Sequence, residues 1–412
     1  MNRRDFIKAT SAAGMFACAS SSVFAQVREK SNLVILDKFN AAYPGKPVLL
    51  PVVIKGKTYN FMIATGFINN MFDKKLEKLL GEPRSKRSVL DDKGNEKILK
   101  TYYAPKAFAG KLNLQKGGPV GCADFSKLRE ITGQKVDGVL GMSFLRKYII
   151  QMNFDTGEVL FMTPDYRKHP EWGQEVNLIK RAVAAGGIPA IAAKLFKKYQ
   201  LPLILDTGAP LTGLLSRTVF RSLQTDKLIK KTAETTAMTL KGPTVQVNGR
   251  VDGLQIGKFE YKNLIMEKGT EGGVGGVAGL GFLSRHIVTF DFPALKLYLK
   301  KGKRFDVPDQ LDMSGLHLLL NKNPNPKKKG YVKLVQAVDA GSPAAKAGIK
   351  AGDYIFKIDG KKTSKMSLAQ VRNMLKAGDG KTYVVVFART TKTGDSYKTK
   401  GLKNTLVLKK IL

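Results

Sequence analysis

Two stretches of this chain repeat one another, and the repeat limits the folds that the chain can adopt. The segment FMIATGFIN at residues 61–69 is matched by LILDTGAPL at 203–211, with Ala64 where the second copy has Asp206. Further on, GVLGMSFLRKYIIQMNF (138–154) aligns without gaps with GVAGLGFLSRHIVTFDF (276–292). The first two segments are 142 residues apart and the second two 138 residues apart, so the chain contains a duplicated unit of roughly 130 residues.

Each unit has the pattern of a lobe built from β-strands. Short alternating apolar segments are separated by turns rich in Gly, Asn and Pro, and 41 of the 412 residues are Gly. A hydrophobic fraction of 43% and a charged fraction of 25% are those of a folded protein. The sequence predicts β lobes at 31–162 and 175–300, joined by a polar connector, with hairpin tips at DDKG (91–94) and KGP (241–243).

An apolar strand that runs into Asp-Thr-Gly, followed later by an apolar-apolar-Gly segment, is the pattern of aspartic proteases. Residues 31–300 resemble that family, and its retropepsin-like branch in particular, through LILDTGA (203–209), VDGVLG (136–141) and GVAGLG (276–281). The resemblance implies a mainly β fold in which two retropepsin-like lobes form a pepsin-like cleft. It also implies that each lobe contributes one loop to that cleft: Asp206, Thr207 and Gly208 as the catalytic motif, and Ala64, Thr65 and Gly66 as its degenerate copy.

The chemistry of this family needs two carboxylates, and the first copy of the motif lacks one. Two carboxylates about 3 Å apart cannot both ionise, so they share a proton, and one activates a water while the other donates to the peptide carbonyl oxygen. Ala64 can do neither, and Phe67 replaces the small residue found at Ala209. If the lobes pair within one chain, the cleft holds a single carboxylate. If two chains pair through their second lobes, two copies of Asp206 rebuild the dyad.

Three functions therefore remain open. The first is an aspartic endopeptidase that cleaves protein or peptide substrates, as a homodimer through the second lobe, and the intact surroundings of Asp206 favour it. The second is a catalytically inactive protein that holds extended peptides in the cleft. A basic scaffold for anionic polymers is a weaker third hypothesis.

Other candidate residues have structural interpretations. Asp73 lies nine residues beyond Ala64, off the loop and near a helix start, and the second Asp-Thr-Gly, at 155–157, falls between two strands as a hairpin turn. Cys122 is interpreted as a small core residue and His286 as a packed position. The three histidines are too scattered for a catalytic triad or a metal site, so we expect neither metal nor cofactor.

The last hundred residues match neither lobe. The stretch YVKLVQAVDAGSPAAKAGIKAGDYIFKIDGKK resembles the PDZ domains associated with bacterial proteases, and a helix is expected over 367–378. The resemblance implies an α+β PDZ domain at 313–412 whose loop receives a peptide's terminal carboxylate on backbone N–H groups. By position that loop is SGLHL, with Gly315, Leu316, His317 and Leu318. A PDZ fold used only to pack against the cleft or to regulate it is the alternative.

The N-terminus has the pattern of an export signal. MNRRDFIK resembles the twin-arginine export motif, and a weakly apolar stretch then ends in a small-x-small site at Ala25. We expect residues 1–25 to be removed and the mature protein to be periplasmic, with lipid anchoring at Cys18 as the alternative. No later run of 18 apolar residues predicts a membrane span. The net charge of +37 is spread along the chain without a nucleic-acid-binding motif, so we expect no specific nucleic-acid partner.

Overall fold

The computed structural model describes residues 33–90, 96–165, 169–180, 187–229, 231–239, 242–269, 275–323, 330–376, 378–393 and 396–410. The expected export signal, Cys18 and the hairpin tip at 91–94 lie outside these residues. The described residues form two nine-stranded and two six-stranded sheets, which confirms the mainly β fold. No described helix is long and apolar enough to cross a membrane.

The strands recur in the same order in the two repeats. The strands of the first repeat are β1 (Ile35–Asn40), β2 (Leu49–Ile54), β3 (Lys57–Ile63), β4 (Met71–Asp73), β5 (Ser85–Leu90), β6 (Glu96–Tyr102), β7 (Ala107–Ala109), β8 (Leu112–Asn113), β9 (Val120–Ala123), β10 (Gly138–Leu140), β11 (Ile149–Asn153) and β12 (Glu158–Met162). Those of the second are β13 (Gln174–Asn177), β14 (Ala190–Leu195), β15 (Tyr199–Leu205), β16 (Gly213–Leu215), β17 (Thr232–Thr239), β18 (Gly242–Val251), β19 (Leu254–Ile256), β20 (Phe259–Tyr261), β21 (Leu264–Lys268), β22 (Gly276–Ala278), β23 (His286–Asp291) and β24 (Lys296–Lys301). The α-helices are α1 (Ser126–Thr132), α2 (Met142–Leu145), α3 (Arg217–Thr225) and α4 (Leu280–Leu283), and 3-10 helices span Lys74–Leu79, Leu114–Gly117 and Pro170–Trp172.

The two nine-stranded sheets have the same topology. Their strand orders are β5-β6-β9-β4-β10-β3-β2-β7-β8 and β17-β18-β21-β16-β22-β15-β14-β19-β20, so the strands correspond one to one. In each sheet the strand that leads into the repeated loop (β3 or β15) pairs in parallel with the strand of the downstream Gly motif (β10 or β22). Strands β17 and β18 pair up to Thr239 and Gly242, which confirms the hairpin predicted there.

A six-stranded sheet with the order β1-β12-β11-β23-β24-β13 joins the lobes. Strands β11 and β23 pair across its centre, from Ile149 with Asp291 to Asn153 with Ile287. Residues 155–157 form the turn between β11 and β12, with Gly157 at φ +86°, as predicted for the second Asp-Thr-Gly. One hydrophobic cluster extends through both lobes and includes Phe161 and Phe290. The lobes therefore share both a sheet and a core.

The C-terminal region forms a separate sheet with its own core. Its elements are β25 (Leu316–Lys322), β26 (Tyr331–Val338), α5 (Pro343–Lys346), β27 (Tyr354–Ile358), β28 (Lys361–Lys362), a 3-10 helix (Thr363–Lys365), α6 (Leu368–Leu375), β29 (Thr382–Thr393) and β30 (Ser396–Val407). Helix α6 lies within the range 367–378 that the sequence predicts and buries Leu368, Val371 and Leu375 on one face. It begins with a capping box between Ser367 and Gln370.

One prediction for this region is wrong in detail. Of the predicted loop residues, only Gly315 lies in the turn, because Leu316, His317 and Leu318 already belong to β25 and pair with β26. Gly315 has φ +74°, and a Cβ there would lie 2.3 Å from the Cβ of Ser342. The turn therefore needs glycine at this position, whereas the alternating apolar residues that follow favour a strand.

Candidate active site

The two copies of the repeated loop meet within the chain. The Thr65 backbone N–H donates to Thr207 Oγ1 (3.1 Å), and the Thr207 N–H donates to Thr65 Oγ1 (3.0 Å). Each hydroxyl then donates across the interface, Thr65 to the Leu205 carbonyl (2.6 Å) and Thr207 to the Ile63 carbonyl (2.9 Å). Since both threonines are buried, these four hydrogen bonds fix the loops against one another.

Asp206 lies at this junction, partly buried, and accepts hydrogen bonds from backbone N–H groups. Its Oδ1 accepts from Gly208 (2.8 Å) and from Gly66 of the other lobe (3.2 Å). A Cβ on Gly66 would lie 2.4 Å from Asp206 Oδ2, so only glycine lets the carboxylate come this close to the first loop. Burial raises the pKa of Asp206, while the N–H groups of Gly208, Gly66 and Ala209 oppose that shift.

Ala64 occupies the position opposite Asp206. It is fully buried, and a Cβ built on Gly208 would lie 3.0 Å from the Ala64 Cβ. The Ala64 N–H donates to the Leu140 carbonyl (3.1 Å), just as the Asp206 N–H donates to the Ala278 carbonyl (2.9 Å). The first loop therefore has the backbone geometry of the second but lacks its carboxylate.

The other candidate residues lie outside this junction. Asp73 N-caps the 3-10 helix Lys74–Leu79 through a hydrogen bond from the Lys75 N–H, which confirms its predicted place at a helix start. Cys122 is half-buried against the core, and burial raises its pKa to about 11, which suppresses the thiolate that a nucleophile needs. His286 is buried beside Tyr261, and burial lowers its pKa to about 4, as befits a packed neutral side chain. No group of three metal-ligating side chains occurs in the described ranges.

Family comparisons match both parts of this architecture. Residues 191–274 match the model described as aspartyl protease, and residues 334–389 match that of the PDZ domain. The chain carries a retropepsin-like aspartyl protease domain and a PDZ domain. The region of the first match includes the Asp-Thr-Gly loop of the second lobe.

Comparisons with whole proteins add little. No curated protein sequence matches the chain at a significant level. Among solved structures, a putative S41 protease from Bacteroides fragilis is 21% identical over 25% of this chain and 26% of its own, with a TM-score of 0.20. The match thus spans about a quarter of that protease. Basic 7S globulin from soybean is 10% identical over 66% of this chain and 95% of its own, with a TM-score of 0.37. Neither match supports an argument about function.

The PDZ domain has a potential peptide groove between strand β25 and helix α6. Strand β25 lies at the edge of its sheet, where an added peptide strand would pair. Arg372 on α6 spans the groove and donates from Nη2 to the Leu318 carbonyl (2.6 Å). Sequence reasoning missed Arg372, because an arginine on an amphipathic helix normally indicates a solvated face.

The turn before β25 already binds a carboxylate, and that carboxylate comes from the chain itself. Asp312 Oδ1 accepts hydrogen bonds from the N–H groups of Ser314 and Gly315, each at 2.8 Å. The Leu316 N–H donates to Ser314 Oγ at 3.0 Å. Two of the N–H groups that the resemblance assigned to a peptide terminus, those of Gly315 and Leu316, are thus used internally. The Asp-x-Ser-Gly spacing is a signal for this kind of turn and could have revealed it.

Proposed function

We propose that this protein is a peptide-binding member of the aspartic protease type that does not cleave efficiently as a single chain. The observation that carries the proposal is that Ala64 faces Asp206 across the junction of the lobes. The domain matches support a protease-like function with peptide binding, and the cleft between the lobes is the site we assign to an extended peptide.

The chemistry of one carboxylate explains the proposed loss of activity. An ionised Asp206 can accept a proton from water, but no second carboxyl group lies opposite to protonate the peptide carbonyl oxygen. The pKa of Asp206 is raised by burial and not by a second negative charge, so the proton sharing of a dyad is missing. A bound peptide would be oriented but not efficiently hydrolysed.

Endopeptidase activity is the second candidate, and the surroundings of Asp206 favour it. The backbone N–H groups of Gly208 and of Gly66 both donate to the Asp206 carboxylate. A homodimer through the second lobes would supply a second Asp206, but it would have to break the Thr65–Thr207 hydrogen bonds that now join the two lobes of one chain. Export to the periplasm remains part of either proposal, on the basis of the N-terminal sequence alone.

A decapeptide library incubated with the full chain from pH 3 to pH 8 tests the proposal. Mass spectrometry of the bound and free fractions separates binding from cleavage. We expect peptides that are retained and intact, with retention unchanged in Asp206→Asn. Cleavage that disappears in Asp206→Asn and increases with the square of the protein concentration would instead support the dimeric endopeptidase.

A further inference from the structure

The PDZ groove is not open, because a segment of the first lobe lies against both of its walls. Helix α1 contacts strand β25, which is one wall of the groove. Gly133, which ends α1 in a left-handed conformation, contacts the other wall, since a Cβ there would lie 2.7 Å from the Cβ of Leu368 at the start of α6. Residues 126–133 therefore reach both the strand and the helix between which a peptide would bind.

The outer face of β25 is covered as well. Leu318 packs into the PDZ core, whereas Leu319 lies outside every hydrophobic cluster of that domain and is still only 1% exposed. Outside the PDZ domain, α1 and β17 are among the described elements that contact this strand. Asp339 holds the second of these in place, because its Oδ1 accepts from the Thr236 N–H and from the Thr236 hydroxyl, both at 2.9 Å, and pairs with His317 at 2.8 Å.

Helix α1 also reaches the residues packed around Ala64, which form the floor of the proposed cleft. Phe125, which precedes the helix, belongs to the same buried cluster as Ala64, and Leu128 on the helix packs against that cluster. Asp73 anchors the segment, since its Oδ2 accepts from the Phe125 N–H (3.1 Å) and forms an ion pair with Arg129. A displacement of α1 from the PDZ groove would therefore be transmitted to the packing around Ala64.

We propose that α1 is an internal ligand of the PDZ groove, and that an extended peptide segment must displace it before pairing with β25. The peptide would also have to replace Arg372 as the donor to the Leu318 carbonyl. Only the molecules in which α1 is displaced can bind peptide. The apparent association constant is therefore the intrinsic one multiplied by the fraction of such molecules. Occupancy of the groove and the packing at the cleft floor are thereby coupled. This inference rests on the proposed peptide binding by the PDZ domain, but not on what the cleft does.

A pair of glycine substitutions separates the effect of the contact between Gly133 and Leu368 from the effect of backbone strain. Gly133→Asn keeps a residue that tolerates the left-handed region but introduces a Cβ that collides with Leu368. Gly56→Asn is the matched control, because Gly56 also has positive φ (+75°) and has no atom within 4 Å of its built Cβ. Leu319→Glu is a second variant, which places a charge in the covered face of β25.

A random decapeptide phage library is selected on the full-length Gly133→Asn protein, and the enriched peptides are synthesised with a fluorescent label. Anisotropy then gives their affinity for every variant, and hydrogen exchange at residues 316–322 identifies the groove as the site. We expect at least tenfold tighter binding to Gly133→Asn and Leu319→Glu than to the wild type or Gly56→Asn. Peptide binding to the wild type should also increase exchange at residues 126–132.

Two results would overturn the inference. One is equal affinity of wild type and Gly133→Asn with unchanged exchange at 126–132, which would show that the groove is open. The other concerns Gly133→Asn alone. If its helix 126–132 exchanges faster than in the wild type but no library peptide binds at residues 316–322, the groove is not a peptide site. Neither result depends on peptide cleavage. The decapeptide assay tests the proposed cleft function, so its failure can be distinguished from a failure of this inference.

Discussion

At the scale of single residues, Ala64 is the position that decides the chemistry. The first loop already has the geometry of a catalytic loop, and Gly208 leaves space beside the Ala64 side chain. We expect Ala64→Asp to create a pair of carboxylates that share a proton and to raise peptide cleavage at acidic pH by roughly 10²–10⁴-fold. The measurement is cleavage of a quenched fluorescent peptide by Ala64→Asp. The control is Ala64→Asn, which has the same shape without the acid, and equal rates in the two variants would contradict the expectation.

A second residue-scale prediction concerns Asp291 in the shared sheet. It is 1% exposed, and its Oδ1 accepts from the Ala294 N–H (3.0 Å). Burial raises its pKa from 3.8 to about 6, while the hydrogen bond from the Ala294 N–H opposes the shift. Because the folded-state pKa exceeds the unfolded-state value, the ionised carboxylate destabilises the fold. The penalty begins above about pH 4 and is complete above about pH 6.

Asp291→Asn should therefore increase the free energy of unfolding by roughly 2–3 kcal/mol at pH 7.5 and leave it nearly unchanged at pH 3.5. The asparagine oxygen can still accept from Ala294. Urea unfolding at the two pH values measures the effect, with the exposed Asp252→Asn as the control. A gain of the same size at both pH values would show that the charge of Asp291 is not the cause.

At the scale of elements, the Asp312 turn determines whether the PDZ groove prefers peptides with a free C-terminal carboxylate. The N–H groups of Ser314 and Gly315 already bond to the Asp312 carboxylate, so a terminal carboxylate gains nothing there. In the Gly133→Asn background, free-acid and amidated forms of one peptide should bind with equal affinity. Adding Asp312→Ala should favour the free acid by roughly tenfold or more, the value of a hydrogen bond to a charged group.

Anisotropy titrations of the two peptide forms measure this preference. Asp379→Ala is a suitable control, because Asp379 is an exposed aspartate of the same domain that bonds to the Lys410 N–H. A preference for the free acid in Gly133→Asn with Asp312 intact would contradict this expectation. It would mean that the Asp312 side chain gives up its hydrogen bonds to the turn when the peptide binds.

The sequence predicted the elements that depend on local patterns and missed those that depend on distant ones. The repeated loops, the hairpin at Thr239 and Gly242 and the apolar face of α6 follow from turn residues and periodicity. The pairing of β11 with β23 and the docking of α1 on β25 join segments far apart in sequence, and no local pattern specifies them. Asp339 was missed for the same reason, because its contact with Thr236 appears only once the domains are placed together. The Asp312 turn is local, and its spacing could have predicted it.

At the scale of the whole molecule, the pairing of the loops within the chain predicts the oligomeric state. The four hydrogen bonds of Thr65 and Thr207 are buried, and each broken one would leave an unpaired polar group. We expect sedimentation velocity to show a monomer up to micromolar concentrations. Any residual cleavage should then rise linearly with protein concentration. A dimer that disappears on Thr207→Val would support exchange of the second lobe between two chains.

The sheet shared by the lobes also has a consequence for synthesis. While the chain is being translated, the first repeat emerges with one side of β11 unpaired, because its partner β23 comes more than a hundred residues later. An unpaired strand edge is a template for association with other chains. The nascent protein is therefore most vulnerable to aggregation after residue 153 has emerged and until residue 291 follows it. Slower translation across this interval should lower the soluble yield, whereas a pause after residue 291 should not.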